Sequence, residues 1–341
     1  MQDRHRELPP LALAWTIWGL GAVLYFVGFY QRVAPAVITN ELTLAFGLTA
    51  AGLGNLSAFY FYSYVAMQIP TGLLADRLGP RKLLTAGATL AAVGTAVFAM
   101  APDASVANLG RLLIGASVGV AFVAMLKLAS VWMPPRQFAL TSGIALAVGV
   151  FGAVFAGAPL RLLVNEFGWR GVMWMSAAIT LLIAVMTWLV VRDHPAERGY
   201  RSHAEGQAVE RGQARSRDSV VAALKNRNVV LLFFIPGAAS ATVLTFAGLW
   251  GVPFLVTHYA LSATSAAGLC STMMIAWAVG SIACSAASDR LGRRKPLYIG
   301  GLVITMLLWA LLIYVRDIPY ALLVALMVGI GFFAGCFIIS F

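Results

Sequence analysis

Apolar residues run along this chain in ten stretches of roughly twenty, and polar residues gather in the short segments between them. The stretches fall at 12–38, 48–74, 83–101, 107–133, 138–162, 169–191, 229–257, 264–287, 296–315 and 319–341. An α-helix needs about 20 mainly apolar residues to cross a bilayer's hydrocarbon core, and each stretch is of that order. Backbone that spans lipid must satisfy its own hydrogen bonds, so the pattern predicts an all-α membrane protein. The segment 192–228 breaks the pattern, with eight Lys/Arg and five Asp/Glu among Gly, Ser and Gln. It reads as a solvated, largely flexible loop between a first half over 1–191 and a second half over 229–341.

Composition sharpens the membrane reading. Of 341 residues 60% are hydrophobic and only 11% charged, where soluble domains carry about a quarter charged. The leading segment MQDRHRELPP precedes an apolar stretch too long for a signal peptide and reads as a cytoplasmic lead into the first span. With the N-terminus inside, the inner segments hold eighteen of the 24 Lys/Arg, which satisfies the positive-inside rule in one orientation only. That asymmetry accounts for the net charge of +11 through the anionic leaflet, without nucleic acid. Cys270, Cys284 and Cys336 all fall in apolar stretches and the four histidines are scattered, so neither a metal nor a cofactor is expected. No nucleotide-binding loop and no nucleophile with base and orienting group stand out, so no catalytic residue is assigned and an enzyme is not expected.

The most specific feature is a repeated heptapeptide. DRLGPRK runs from Asp76 to Lys82 and DRLGRRK from Asp289 to Lys295, six of seven positions being identical. Repeats at such spacing indicate duplicated halves. With its upstream residues the first copy runs Gly72, Leu73, Leu74, Ala75, Asp76, Arg77, Leu78, Gly79, Pro80, Arg81, Lys82; the second has Ser285 in place of the first glycine. A further pattern, R-x-x-x-G-x-x-x-G, is present as Arg111, Gly115 and Gly119, and Gly168-Trp169-Arg170 stands at the start of the sixth span. In these motifs the chain resembles the major facilitator superfamily across essentially its whole length. The resemblance implies two six-helix halves, of which the last two helices are missing here, so a truncated product is expected. It also implies a gating set of Gly72, Asp76, Arg77, Gly79, Arg81, Lys82, Arg111, Gly115 and Gly119 with Asp289, Arg290, Gly292, Arg293 and Arg294. Asp76 is expected to accept from helix N-termini and from basic groups of the opposite half. Gly72, Gly115 and Gly119 are expected to permit close helix approach.

Charges at membrane depth are costly and point to function. No acidic residue falls in the middle of a span, whereas Arg32 and Lys127 lie within the first and fourth. Left unpaired, they would make a cavity electropositive and suit a carboxylate-bearing solute. The second span carries a polar stripe of Ser57, Tyr60, Tyr64 and Gln68, at helical spacing on one face. Trp250, in FAGLWGVPF, suggests a breakable segment. The expected substrate-binding set is therefore Arg32, Lys127, Tyr60, Tyr64, Gln68 and Trp250. GFYQRVAP and VAMLKLASVW look like the branch that contains the lysosomal dipeptide transporter and bacterial relatives. The function this implies is a secondary active or facilitative transporter, symporter or uniporter, moving a small organic anion or a zwitterion such as an amino acid or short peptide by alternating access. The alternatives are a truncated, non-transporting product and a drug/proton antiporter, the latter disfavoured because the fifth span lacks the Gly-Pro dipeptide of that class. The expected partners are the small-molecule solute and the lipid bilayer, with the chain monomeric and multi-pass in a cell membrane, the bacterial inner membrane for preference.

Overall fold

The structure, a computed structural model, describes residues 7–203 and 225–340; of the predicted loop 192–228, residues 204–224 lie outside them. The described residues form helices and no strand. In chain order these are α1 (Leu11–Val37), α2 (Thr39–Phe46), α3 (Ala50–Leu78), α4 (Pro80–Met100), α5 (Ala104–Trp132), α6 (Phe138–Phe155) and α7 (Ala158–Val190). There follow α8 (Arg227–Thr245), a π-helical turn (Phe246–Trp250), α9 (Gly251–Tyr259), α10 (Ala263–Leu291), α11 (Arg294–Tyr314) and α12 (Tyr320–Ala334), which tightens into a 3-10 turn (Gly335–Ser340). Among the described residues eight helices are long and apolar enough to cross a membrane. Neither α3 nor the pair α8–α9 is among them. The polar stripe lowers the hydropathy of α3, and the π-turn divides the predicted 229–257 span into two pieces.

Contacts divide the chain into two compact units, Met1–Pro135 with Phe151–Glu210 and Arg136–Val150 with Arg211–Phe341. In the first unit α4 packs along α5 and α7, and α5 along α1 and α3. The end remote from the DRLGPRK turn is closed by Trp169, whose ring meets Phe46 and Phe98 edge-on, each at 5.8 Å. The Arg170 guanidinium lies 4.4 Å over the Trp169 ring and donates to the Ala99 and Ala101 carbonyls at 2.6 and 2.8 Å, capping the C-terminus of α4. Gly168, at φ 68° inside α7, supplies the break that was expected between the fifth and sixth spans.

The heptapeptide is less a loop than a corner. Asp76 and Arg77 are in the last turn of α3, and only Gly79 stands between α3 and α4. Pro80 opens α4, where its missing N–H costs nothing. In the second unit Asp289 and Arg290 likewise end α10, and Gly292 and Arg293 lead to α11. The duplication is in register: α3 and α10 both have 29 residues and start at Ala50 and Ala263, while α4 and α11 both have 21. A Cβ at Gly115 would collide with the Tyr60 carbonyl, and one at Gly331 with the Met273 carbonyl. Met273 stands in α10 where Tyr60 stands in α3, so Met327-x-x-x-Gly331-x-x-x-Gly335 is the second copy of Arg111-x-x-x-Gly115-x-x-x-Gly119. No letter of the Arg111 position survives in it.

Candidate anion site and loop-motif contacts

The site grows from a defect in α1. Pro35 has no N–H, so the carbonyl of Gln31, four residues earlier, lacks its helical partner. Arg111 of α5 supplies one, its Nη1 donating to Gln31 O at 2.7 Å while its Nε donates to Leu56 O at 3.1 Å. The guanidinium is 1% exposed and lies 4.8 Å over the ring of Tyr60, itself fully buried. Arg111 Nη2 and Gln31 Oε1 are buried without a hydrogen-bond partner. The Gln31 amide donates to Thr95 Oγ1 at 2.8 Å, which fixes the side chain.

On the other side of Tyr60 stands Arg32, half-buried, whose Nε donates to the Tyr60 hydroxyl at 3.2 Å. Its guanidinium lies 4.4 Å from the Phe29 ring centre, 5.0 Å from that of Tyr64 and 5.8 Å from that of Phe61. Tyr60 and Tyr64 stack with ring planes 9° apart. Such contacts contribute about 0.5–2 kcal/mol each and hold the guanidinium plane without neutralising it. The ion pairs Lys127–Asp76 and Arg161–Glu41 reach neither Arg32 nor Arg111. The terminal amino groups of Arg32 make no hydrogen bond among the described residues, which leaves a planar two-donor fork suited to a carboxylate or sulfonate.

The second unit shows that this chemistry is not demanded by the packing. Met273, Trp277 and Met327, all buried, stand where the first unit has Tyr60, Tyr64 and Arg111. The same helix crossing is thus built with two methionines and a tryptophan. Two cations in its place, with no acid paired to them among the described residues, are an addition to the architecture.

The other predicted residues of the first unit lie outside this cluster. Lys127 is not an unpaired cation: its Nζ donates to Asp76 Oδ1 at 2.8 Å and to the Ala75 carbonyl at 2.6 Å, at the end of α3. Asp76 therefore pairs within its own unit, and it is Asp289 that meets a helix N-terminus, accepting from Leu140 N of α6 at 3.0 Å. Gln68 is exposed one turn beyond Tyr64, and Trp250 is exposed in the second unit, on a groove it lines with Phe246, Thr305 and Trp309. Gly119 has Met67 Cβ 3.3 Å from its Cβ position, whereas a Cβ at Gly72 would meet no packed neighbour within 4 Å. Arg77, Lys82, Arg290, Arg293 and Arg294 are exposed. Arg81 instead donates through Nε and Nη2 to Trp188 O, at 3.0 and 2.8 Å. The sequence reading missed Gln31 and the part Arg111 plays beside Arg32. Pro35, four residues after Gln31, is the signal that could have found both.

Comparison with known proteins gives one family. The profile of the Major Facilitator Superfamily matches residues 13–341. The chain is 32% identical over 189 residues to the uncharacterized transporter YybO of Bacillus subtilis, covering 55% of this chain and 43% of that protein. It is 26% identical to the probable sulfoacetate transporter SauU of Cupriavidus necator (61% of this chain, 48% of that one). A putative tartrate transporter of Agrobacterium vitis is 24% identical (82% and 64%). The chain thus spans between two-fifths and two-thirds of the length of these relatives. Among solved structures, the fucose:proton symporter FucP of E. coli shares the fold at TM-score 0.69 and 16% identity, over 95% of this chain and 87% of that one.

Proposed function

The chain belongs to the Major Facilitator Superfamily, and from that premise we propose that it serves a secondary transporter moving a small organic anion by alternating access. The single observation that carries the anion is Arg32, a half-buried guanidinium with a free fork and no acid paired to it. A lone charge at membrane depth costs about 2.5–3.5 kcal/mol, and a bound carboxylate or sulfonate offsets that cost. Arg111, behind Tyr60, adds positive potential without offering a second open fork. The relatives named for sulfoacetate and tartrate support the same class. Lys127, paired with Asp76, is assigned to the loop motif rather than to the solute. The reading takes 1–191 as the first half, 192–228 as a cytoplasmic loop and 229–341 as belonging to the second half, in a bacterial inner membrane with the N-terminus inside.

The test is counterflow in proteoliposomes with labelled sulfoacetate, tartrate, an amino acid, a dipeptide and an organic cation. Uptake of the anions, lost in Arg32→Ala and kept in Trp250→Ala, is the expected result. Uptake of the cation alone, unchanged by Arg32→Ala, would sink the anion reading. Specific binding of an anion without uptake would retain the site and exclude a transport cycle for this chain.

A further inference from the structure

Residues 192–203 were expected to be flexible, yet they fold back over the DRLGPRK end of the first unit. Trp132 Nε1 donates to the Arg192 carbonyl at 3.1 Å, Ser202 Oγ to that of Val131 at 3.2 Å, and Arg201 N to that of Glu7 at 2.9 Å. Between these ties, Glu197 closes the short turn Pro195–Arg198 by accepting from His194 N at 3.0 Å. The strap carries Asp193 to the start of α4.

That helix lacks a capping side chain of its own, because Gly79 precedes it and Pro80 opens it. Asp193 Oδ1 takes the free N–H of Arg81 at 2.7 Å, from 112 residues away. The seat exists only because residue 79 is glycine: its φ is 80°, and a Cβ there would lie 2.6 Å from the Asp193 carboxylate. The Arg81 side chain grips the end of α7 at the same place, forked onto Trp188 O and 4.2 Å over the Trp188 ring. In the second copy Gly292 has φ 62° and nothing within 4 Å, so the corner itself needs no carboxylate. There Asp289 does the capping, for α6. In the first unit capping falls to Asp193, and Asp76 is left to Lys127.

We propose that Asp193 is a positioning residue of the cytoplasmic gate, fixing the α3–α4 corner to the end of α7 so that the two move as one piece. The corner is then no hinge, and Asp76 and Lys127 are presented on a rigid end. The fixing rests on geometry alone; the gating part rests on the transport reading above. Asp193 touches no solute, so its loss acts on turnover and not on binding.

The experiment compares the intact protein with Asp193→Ala and Asp193→Asn. Hydrogen–deuterium exchange over residues 79–84 reads the corner, tartrate and sulfoacetate binding reads the Arg32 site, and proteoliposome uptake reads the cycle. In Asp193→Ala, exchange should quicken about tenfold, the scale of a lost cap. Anion Kd should stay within about twofold and maximal uptake should fall with KM unchanged. Asp193→Asn keeps an acceptor oxygen and should recover most of both. Unchanged exchange in Asp193→Ala, or an Asn variant no better than Ala, overturns the capping seat; weakened anion binding with unchanged turnover overturns the positioning role. A native protein that takes up no anion fails the transport reading alone, and exchange still decides the seat.

Discussion

Pro35 and Arg111 are complementary: the proline withholds the N–H that Gln31 O would accept in a helix, and Arg111 Nη1 donates to that oxygen at 2.7 Å. Arg111→Met copies the residue at the matching position of the second unit, so the helix crossing should survive. The orphaned carbonyl should still cost about 1–3 kcal/mol. Adding Pro35→Ala restores an N–H to Gln31 O and should recover most of that loss. Denaturant or thermal unfolding in detergent measures both, and anion binding should stay weak in the double variant. Failure of Pro35→Ala to recover stability would show that the arginine stabilises the unit through other contacts.

The Arg32–Tyr60 contact yields a separate prediction about affinity. Arg32→Lys keeps the charge but loses the planar fork and the donor to the Tyr60 hydroxyl. Tyr60→Phe keeps the ring beneath both guanidinium groups and removes only the acceptor. Each should weaken sulfoacetate or tartrate binding, by about tenfold or more for the lysine variant, the scale of a charged hydrogen bond. The phenylalanine variant should lose less. Equilibrium binding to the purified protein decides, and equal binding by Arg32→Lys and the native chain would remove the fork from the argument.

Hydropathy made the helices legible, because a spanning helix writes its length into the chain as an apolar run. It also misled where tertiary packing intervenes. Lys127 looked unpaired because Asp76 is 51 residues away and sits at a helix end, and only the packing of α5 along α3 brings them together. The charged composition after Val191 suggested solvent, but Trp132 and Ser202 carry no sequence mark of the strap they tie down. Arg111 was legible as part of a small-residue motif. Its chemistry emerged only against Met327, a match that rests on the close approaches of Gly115 and Gly331 rather than on shared letters.

The two units cap equivalent helices by different means, and this is testable as stability. Arg170 caps α4, whereas Tyr259 caps α11, its hydroxyl donating to Leu312 O at 2.6 Å with Val315 O 3.1 Å away as the alternative acceptor. Phe46 stands at the position of Tyr259 in the first unit, so the ring alone fits this corner. Tyr259→Phe should therefore cost about 1 kcal/mol, the loss of a hydrogen bond without a cavity. Thermal unfolding would register it as a small fall in Tm, and an unchanged Tm would mean that those carbonyls are already satisfied.

The two corner glycines separate conformational strain from close contact. Both have positive φ, 80° at Gly79 and 62° at Gly292, but ψ is 158° at Gly79 and 9° at Gly292. Alanine therefore costs about 1–2 kcal/mol for the left-handed backbone at Gly292, and up to about 3 kcal/mol for the glycine-only conformation at Gly79. At Gly292 nothing stands within 4 Å, and the penalty should end there. At Gly79 a Cβ would lie 2.6 Å from the Asp193 carboxylate, so Gly79→Ala must also expel that group and release the Arg81 N–H. Gly79→Ala should thus destabilise more than Gly292→Ala, by the larger backbone cost and by about a further 1 kcal/mol for the cap. In an Asp193→Ala background the carboxylate is gone, and the excess should shrink by about that 1 kcal/mol, leaving the backbone difference. An excess left unchanged there would place the whole difference in the backbone and none of it in the contact.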